Sequence, residues 1–205
     1  AELASLVTDY ARTLTDDRRH LISQFTLTRI ARKVVGVGSV GTQSWIVLLE
    51  ARDGTEPLLL QAKQAQQSVL AAYTRPSGYD NQGERVVAGQ RLMQAASDIF
   101  LGWQRIAGNA DYYLRQLRDW KYSAPIAQLD PNLMARYGSL CGWTLARAHA
   151  RTGDRVAIAT YLGDSAKFDV AVSAFARAYA DQTEKDHAAL AKAVATGRIK
   201  AETGI

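Results

Sequence analysis

Three glycines recur in "GVGSVG", residues 36–41, with the spacing G-x-G-x-x-G. Loops of this composition bind phosphates, because their backbone N–H groups can approach the anion closely. Two architectures use the pattern in different ways. In a dinucleotide-binding unit the glycines lead from a strand into a helix, whereas in protein kinases they join two strands and cover the nucleotide phosphates. The residues after the glycines therefore distinguish the two architectures.

Those following residues favour a strand. Gly41 precedes "TQSWIVLLE", in which Trp45, Ile46 and Val47 are residue types that strands prefer. The sequence therefore predicts a strand, a glycine loop and a second strand, as in kinases. A simple turn with positive φ stays the alternative for these glycines. The predicted phosphate contacts are Gly36, Gly38, Ser39, Val40 and Gly41.

A kinase-like site also needs a lysine for the α- and β-phosphates and an acid that orients it. Lys63 is the only basic residue in the next strand candidate, "LLLQAKQA", and Glu84 is the only acid in residues 81–97. Backbone groups around Gln116 and Leu117, in "YYLRQLRD", stand where a hinge would bind the base. Lys63 as an edge-strand lysine and Glu84 as a first-turn helix acid remain alternatives.

The order of elements predicts an α+β chain. Residues 1–28 form an N-terminal helical segment. Residues 29–121 form a small antiparallel sheet of about five strands, with the glycine loop and one helix near Glu84 to Ser97. Residues 122–205 form a helical lobe that contains helices near Pro131 to Arg151 and Ser165 to Thr196.

Composition limits the class of protein. The chain has 205 residues, 47% hydrophobic and 22% charged, which suits one globular domain or two small lobes. Its net charge of +5 is scattered, so phosphates are plausible partners and nucleic acid is not the expected one. One cysteine excludes an internal disulfide and favours the cytoplasm. No apolar run approaches the roughly 18 residues of a membrane span, so no membrane partner is expected.

Other chemistry-bearing residues are assigned structural roles. "HARTGD" is loosely similar to a kinase catalytic loop, but the residue five past Asp154 is Ala159 and not asparagine. Asp169 lies in a helical pattern, His149 near a helix end, and Cys141 among apolar residues that predict a core position. No catalytic residue and no metal ligand is assigned.

Several phrases resemble the bacterial family named domain of unknown function 2252. They are "GVGSVGT", "LLLQAKQAQQSVL", "NQGERVVAGQRLMQAASDIFLGW", "YYLRQLRD" and "LCGWTLARAHARTGD". The resemblance covers about residues 29–199 and is to the family's C-terminal part. It implies a protein-kinase-like fold that binds ATP, with Mg²⁺ in a complete family member. The family's activity is not established.

The resemblance also implies that the chemical half of the fold lies elsewhere. The family carries G-D-x-H-x-x-N and D-F-D stretches upstream of the glycine loop, and residues 1–35 contain neither. Two functions stay open: part of a phosphotransferase with an unknown phosphate acceptor, or a non-catalytic, pseudokinase-like scaffold. If the family's helix acid belongs at Ala88, Glu84 is not its equivalent. Apolar surface left uncovered predicts association into homo-oligomers.

Overall fold

A computed structural model describes residues 2–33, 36, 40–106, 110–117 and 123–201, with the side chains of residues 2–6 excluded. The chain divides into two compact units, residues 1–153 and 154–205. The predicted boundaries of the sheet segment and the helical lobe, at residues 29 and 122, stay predictions.

The described part of the first unit combines a sheet with four α-helices. In chain order its elements are α1 (Glu2–Ala11), α2 (Asp16–Ile22), β1 (Phe25–Arg32), β2 (Ser44–Ala51), β3 (Pro57–Ala65), α3 (Gln82–Met93), β4 (Gly102–Ile106), β5 (Ala110–Gln116) and α4 (Pro131–Thr152), with a short 3-10 turn at Ile126–Gln128 before α4. The five strands form one antiparallel sheet in the order β1-β2-β3-β5-β4. The predicted α+β class, with a small antiparallel sheet followed by helices, is confirmed.

The sheet is covered on both sides, and the period of two along β3 separates the sides. Leu58, Leu60 and Ala62 join the main hydrophobic cluster together with Tyr10 of α1. We call this side the α1 face. Gln61 lies on the other side, where it lines a cavity with the α3 residue Gln90. We call this second side the α3 face.

Helix α3 approaches β5 very closely. A Cβ atom added to Gly83 would lie 2.2 Å from the carbonyl oxygen of Tyr112, so only glycine fits at this point of the helix. Val87, one turn later, is fully buried. The start of the helix is capped by Asn81, whose side-chain oxygen accepts a hydrogen bond from the Glu84 N–H at 3.0 Å. Close packing and capping together fix α3 on its face of the sheet.

Helix α4 begins as the sequence predicts. Asp130 accepts a hydrogen bond from the Leu133 N–H at 2.9 Å, and Pro131 is the first helical residue. The prediction that Cys141 is a core residue is wrong, since Cys141 is exposed. The buried residue of α4 is Ala148, so the packed side of this helix does not include the cysteine.

The second unit contains α5 (Arg155–Leu162) and α6 (Lys167–Ala195). The ring of Tyr161 meets that of Phe168 edge to face at 6.3 Å, and Phe175 stacks on Tyr179 at 5.5 Å. The apolar residues of α6 are nevertheless largely exposed, with Phe175 at 65%. The predicted association into homo-oligomers through such surface stays a prediction. In the described ranges, no helix combines the length and the apolar character needed to cross a bilayer.

Candidate functional site

The glycine hexad lies in the connection between β1 and β2. Arg32 pairs with Trp45 where the two strands approach the connection, and the strand β2 follows the glycines. Two strands therefore flank the glycines, as the sequence predicts, and Gly41 does not lead into a helix as it would in a dinucleotide-binding unit. That the connection is a phosphate-binding glycine loop stays a prediction. Gly36 lies outside the regular elements and is exposed.

The other predicted phosphate contacts are divided between described and undescribed residues. Val40 is 82% exposed in a turn, and Gly41 has a φ of +80°, in the left-handed region that favours glycine. Gly38 and Ser39 lie outside the described residues. At Val40 and Gly41 the backbone of the connection is therefore accessible to solvent, and Gly41 has no side chain that would block a ligand.

Lys63 lies at the same end of the sheet as the glycines. In β3 it pairs with Ser44 of β2 on one side and with Tyr113 of β5 on the other. The Lys33 N–H donates to the carbonyl oxygen of Ser44 at 2.8 Å, so this row of the sheet adjoins the connection that carries the glycine hexad. Lys63 is two residues after Gln61 and therefore belongs to the α3 face. Its side chain is half-buried.

Glu84 stands in the first turn of α3, at the same end of the sheet as Lys63. Arg91 is seven residues later and so lies on the same side of the helix. Arg91 donates to the Leu101 carbonyl oxygen at 2.6 Å and stands over the Trp103 ring at 5.9 Å, both next to or in β4. This side of α3 therefore turns toward β4, and β5 separates β4 from the strand of Lys63. The ion pairs shown among the described residues join other side chains, so the pairing of Glu84 with Lys63 stays a prediction.

The backbone N–H groups of the predicted hinge have partners within the protein. The Leu117 N–H donates to the Leu59 carbonyl oxygen at 2.8 Å, which extends the pairing of β5 with β3. The Gln116 N–H lies 3.3 Å from Oδ1 of Asp98. A base at this edge would therefore meet carbonyl oxygens and side chains, and not these two donors.

A polar cavity of about 290 Å³ lies on the α3 face at the Gln116 end of the sheet. Its lining is Gln61, Gln90, Gln94, Ala96, Asp98, Arg115 and Gln116. Only 4% of Gln61 is exposed, and its side-chain oxygen accepts a hydrogen bond from the Arg115 guanidinium at 3.3 Å. Sequence reasoning assigned no role to Gln61 or Arg115. The available signal was a glutamine at the centre of "LLLQAKQA", two positions before Lys63.

Asp111 of β5 connects the sheet to the start of α3. One carboxylate oxygen lies 2.7 Å from Nε of Arg105, and the other accepts a hydrogen bond from the Gln82 N–H at 2.7 Å. Burial alone would raise the pKa of Asp111, but the hydrogen bonds from Arg105 and Gln82 outweigh it, and the pKa lies below its ordinary value. The buried charge of Asp111 therefore helps to fix Gln82, the first residue of α3, against the sheet.

Two further aspartates occupy helix starts. Asp154 caps α5 by accepting hydrogen bonds from the Val156 and Ala157 N–H groups at 2.9 and 3.1 Å. Asp169 lies in the first turn of α6, and His149 in the last turn of α4. These positions agree with structural roles.

The described residues supply no ready-made cluster of metal ligands. Within these ranges no three His, Cys, Asp or Glu side chains come together in a way that could hold a metal ion. We therefore assign no binding step through Mg²⁺ to these residues.

Fold and site define an α+β protein with a two-sided antiparallel sheet and a polar, partly basic α3 face. The family described as "Uncharacterized protein conserved in bacteria (DUF2252)" matches residues 1–193, and the chain belongs to this family. The match begins at residue 1, so it includes the helices before β1 as well as the segment that carried the resemblance. No curated protein and no solved structure matches the chain.

Proposed function

We propose that the chain binds a nucleoside triphosphate, ATP in the first instance, on the α3 face of the sheet. The observation that carries the proposal is the place of Lys63. It stands on the α3 face, one strand away from Ser44, at the sheet end that adjoins the glycine connection. This is the relation between a lysine and a glycine loop that kinase-like nucleotide sites need.

The phosphates would lie between the glycine connection and Lys63. Backbone N–H groups near Gly36 and Gly41 would donate to phosphate oxygens, and the Lys63 ammonium would neutralise the α- and β-phosphates. Gly38, Ser39 and Val40 complete the proposed contacts. Glu84, in the first turn of α3, is proposed to orient the Lys63 ammonium. Its negative charge would act on Lys63 across the width of strand β5.

The base would lie toward the polar cavity. Tyr113, opposite Lys63, and Gln116, which lines the cavity, are three residues apart on β5, a separation of roughly 10 Å along the strand. That separation suits a nucleotide whose phosphates are at Lys63 and whose base is near Gln116 and Leu117. The Gln61 amide accepts from Arg115 and donates to Oγ of Ser44; its second N–H and second acceptor site would serve a purine edge.

The kinase-like fold, the correspondence to the C-terminal part of the family and the cytoplasmic location belong to this proposal. In a complete family member the site would serve phosphoryl transfer with magnesium to an acceptor still to be identified. A non-catalytic scaffold that binds the same nucleotide is the second candidate, and turnover separates the two.

Calorimetric titration with ATP tests the proposal. Loss of one charge-assisted contact in Lys63→Met should weaken ATP binding by about ten- to a hundredfold. Lys185→Met, in α6, is the matched control and should bind like the wild type. Equal affinity of wild type and Lys63→Met, or no binding by the wild type, would contradict the proposal. If binding is confirmed, release of ADP from Mg-ATP assigns an enzyme, and binding without release assigns the scaffold.

A further inference from the structure

A second cavity lies on the α1 face, away from Lys63. Its volume is about 390 Å³, within the range of small-molecule sites. Apolar residues of the main hydrophobic cluster form much of its wall, among them Leu60, Ala62 and Leu114. The aromatic residues Tyr10, Trp45 and Tyr112 also line it. We call it the apolar cavity.

One buried amide in this wall is unusual. Gln104 of β4 is only 8% exposed and borders the apolar cavity. In the part of the chain that the structure describes, no side-chain hydrogen bond joins Gln104 to another residue, and its amide atoms keep some accessible surface. By contrast, the neighbouring Tyr112 hydroxyl donates to the side-chain oxygen of Gln43 at 2.8 Å. A ligand that filled the cavity without bonding to the Gln104 amide would leave the amide unpaired and lose binding free energy.

We propose that the apolar cavity binds a planar aromatic molecule that carries one N–H or O–H donor, which bonds to the side-chain oxygen of Gln104. Apolar walls favour an uncharged ligand, because a charge here would lose its hydration. The rings of Tyr10, Trp45 and Tyr112 favour a planar one through edge-to-face or offset contacts. The Gln104 amide supplies the buried polar contact, with its oxygen as the proposed acceptor of the ligand's donor.

This site is separate from the proposed nucleotide site. Ala62 borders the apolar cavity, whereas the next residue, Lys63, belongs to the opposite face of the sheet. Binding in the apolar cavity therefore does not depend on the phosphate contacts, and each site can be tested without the other.

Indole and 1-methylindole form a matched pair of probes, since they differ mainly in the N–H donor. Calorimetric titration of the wild type should show indole bound about three- to tenfold more tightly than 1-methylindole. In Gln104→Leu this preference should disappear while 1-methylindole still binds. The same substitution at an exposed glutamine, Gln128→Leu, should keep the preference.

A second variant tests the proposal independently if Gln104→Leu does not fold. Ala110→Leu adds volume at the cavity wall and should weaken both probes by about tenfold or more, while the ATP titration stays unchanged. Equal affinity of the wild type for the two probes, or full binding of both by Ala110→Leu, would overturn the proposal. Absence of indole binding to the folded wild type would overturn it as well.

Discussion

The two faces of the sheet differ in polarity although the same strands form both. On β3, Leu60 and Ala62 belong to the hydrophobic cluster of the α1 face, whereas Gln61 and Lys63 alternate with them on the α3 face. On β5, Tyr112 joins the cluster, while its neighbour Asp111 is buried on the other side. Both faces are covered by helices, so solvent exposure does not explain the contrast.

The contrast in polarity between the two faces bears on the proposed nucleotide site. A helix-covered face is normally apolar, because burying polar groups costs free energy unless each one finds a partner. The α3 face carries the polar side chains Gln61, Asp111 and Arg115. Internal hydrogen bonds offset the free energy lost when these groups are removed from water. A face that is covered and still polar is suited to a polar ligand, and substitutions on each face test how that polarity is maintained.

The largest expected effect is loss of the close contact between α3 and the sheet. In Gly83→Ala the new methyl group would stand 2.2 Å from a backbone oxygen, which cannot rotate away. Overpacking should lower the free energy of unfolding by about 3 kcal/mol, measured by urea denaturation.

Gly89→Ala is the control for that experiment. Gly89 is in the same helix, and a Cβ atom there would meet no other atom within 4 Å. Because alanine is the better helix former, this variant should be equal to the wild type or up to about 1 kcal/mol more stable. Equal stabilities of the two alanine variants would contradict the described approach of α3 to β5.

An intermediate effect is expected for the buried carboxylate of the α3 face. Asp111→Asn weakens the bonds to Arg105 and Gln82 and should lower the free energy of unfolding by about 2 kcal/mol at neutral pH. The pKa of Asp111 is lowered in the folded state. Its contribution is therefore complete above the unfolded pKa and is lost as the pH falls through the folded pKa.

Urea denaturation across a pH series checks this sign. The stability difference between wild type and Asp111→Asn should be constant from about pH 6 to 7 and should shrink below about pH 4. A difference that grows on acidification would show that the carboxylate does not stabilise the fold in its charged form.

The smallest effect is expected on the α1 face, where shape dominates over polar contacts. The Tyr10 hydroxyl donates to the carbonyl oxygen of Phe100, just before β4. Tyr10→Phe keeps the ring and loses this bond, so it should destabilise by about 1 kcal/mol in thermal denaturation. Tyr73→Phe, at an 85% exposed tyrosine, should leave the melting temperature unchanged. A destabilisation larger than that of Asp111→Asn would reverse the comparison of the two faces.

Local pattern predicted most of the elements. β-branched and aromatic runs gave the strands, and Asp130 with Pro131 gave the start of α4. The predicted ends of the elements were less accurate than their type. The helix predicted from Glu84 to Ser97 spans Gln82–Met93, because Gln94 is extended although the alanines beyond it favour helix.

Contacts between distant residues could not be predicted in the same way. The bond between Asp111 and the start of α3, the approach of Gly83 to Tyr112, and the isolated amide of Gln104 each depend on how helices pack on the sheet. No local period encodes these contacts. Lys63 could be singled out from the sequence because it follows the three glycines at one strand's distance, and its role stays a prediction. Gln61 and Arg115 could be singled out only once the α3 face was known.

Amide NMR during titration with ATP tests the central claim most directly, because it reports both faces of one sheet at once. Titration should shift the signals of Ser44, Lys63 and Arg115 and leave those of Leu49, Leu58 and Ala148 close to their starting positions. Shifts concentrated on the α1 face, with Lys63 and Arg115 unchanged at saturating ATP, would contradict the account.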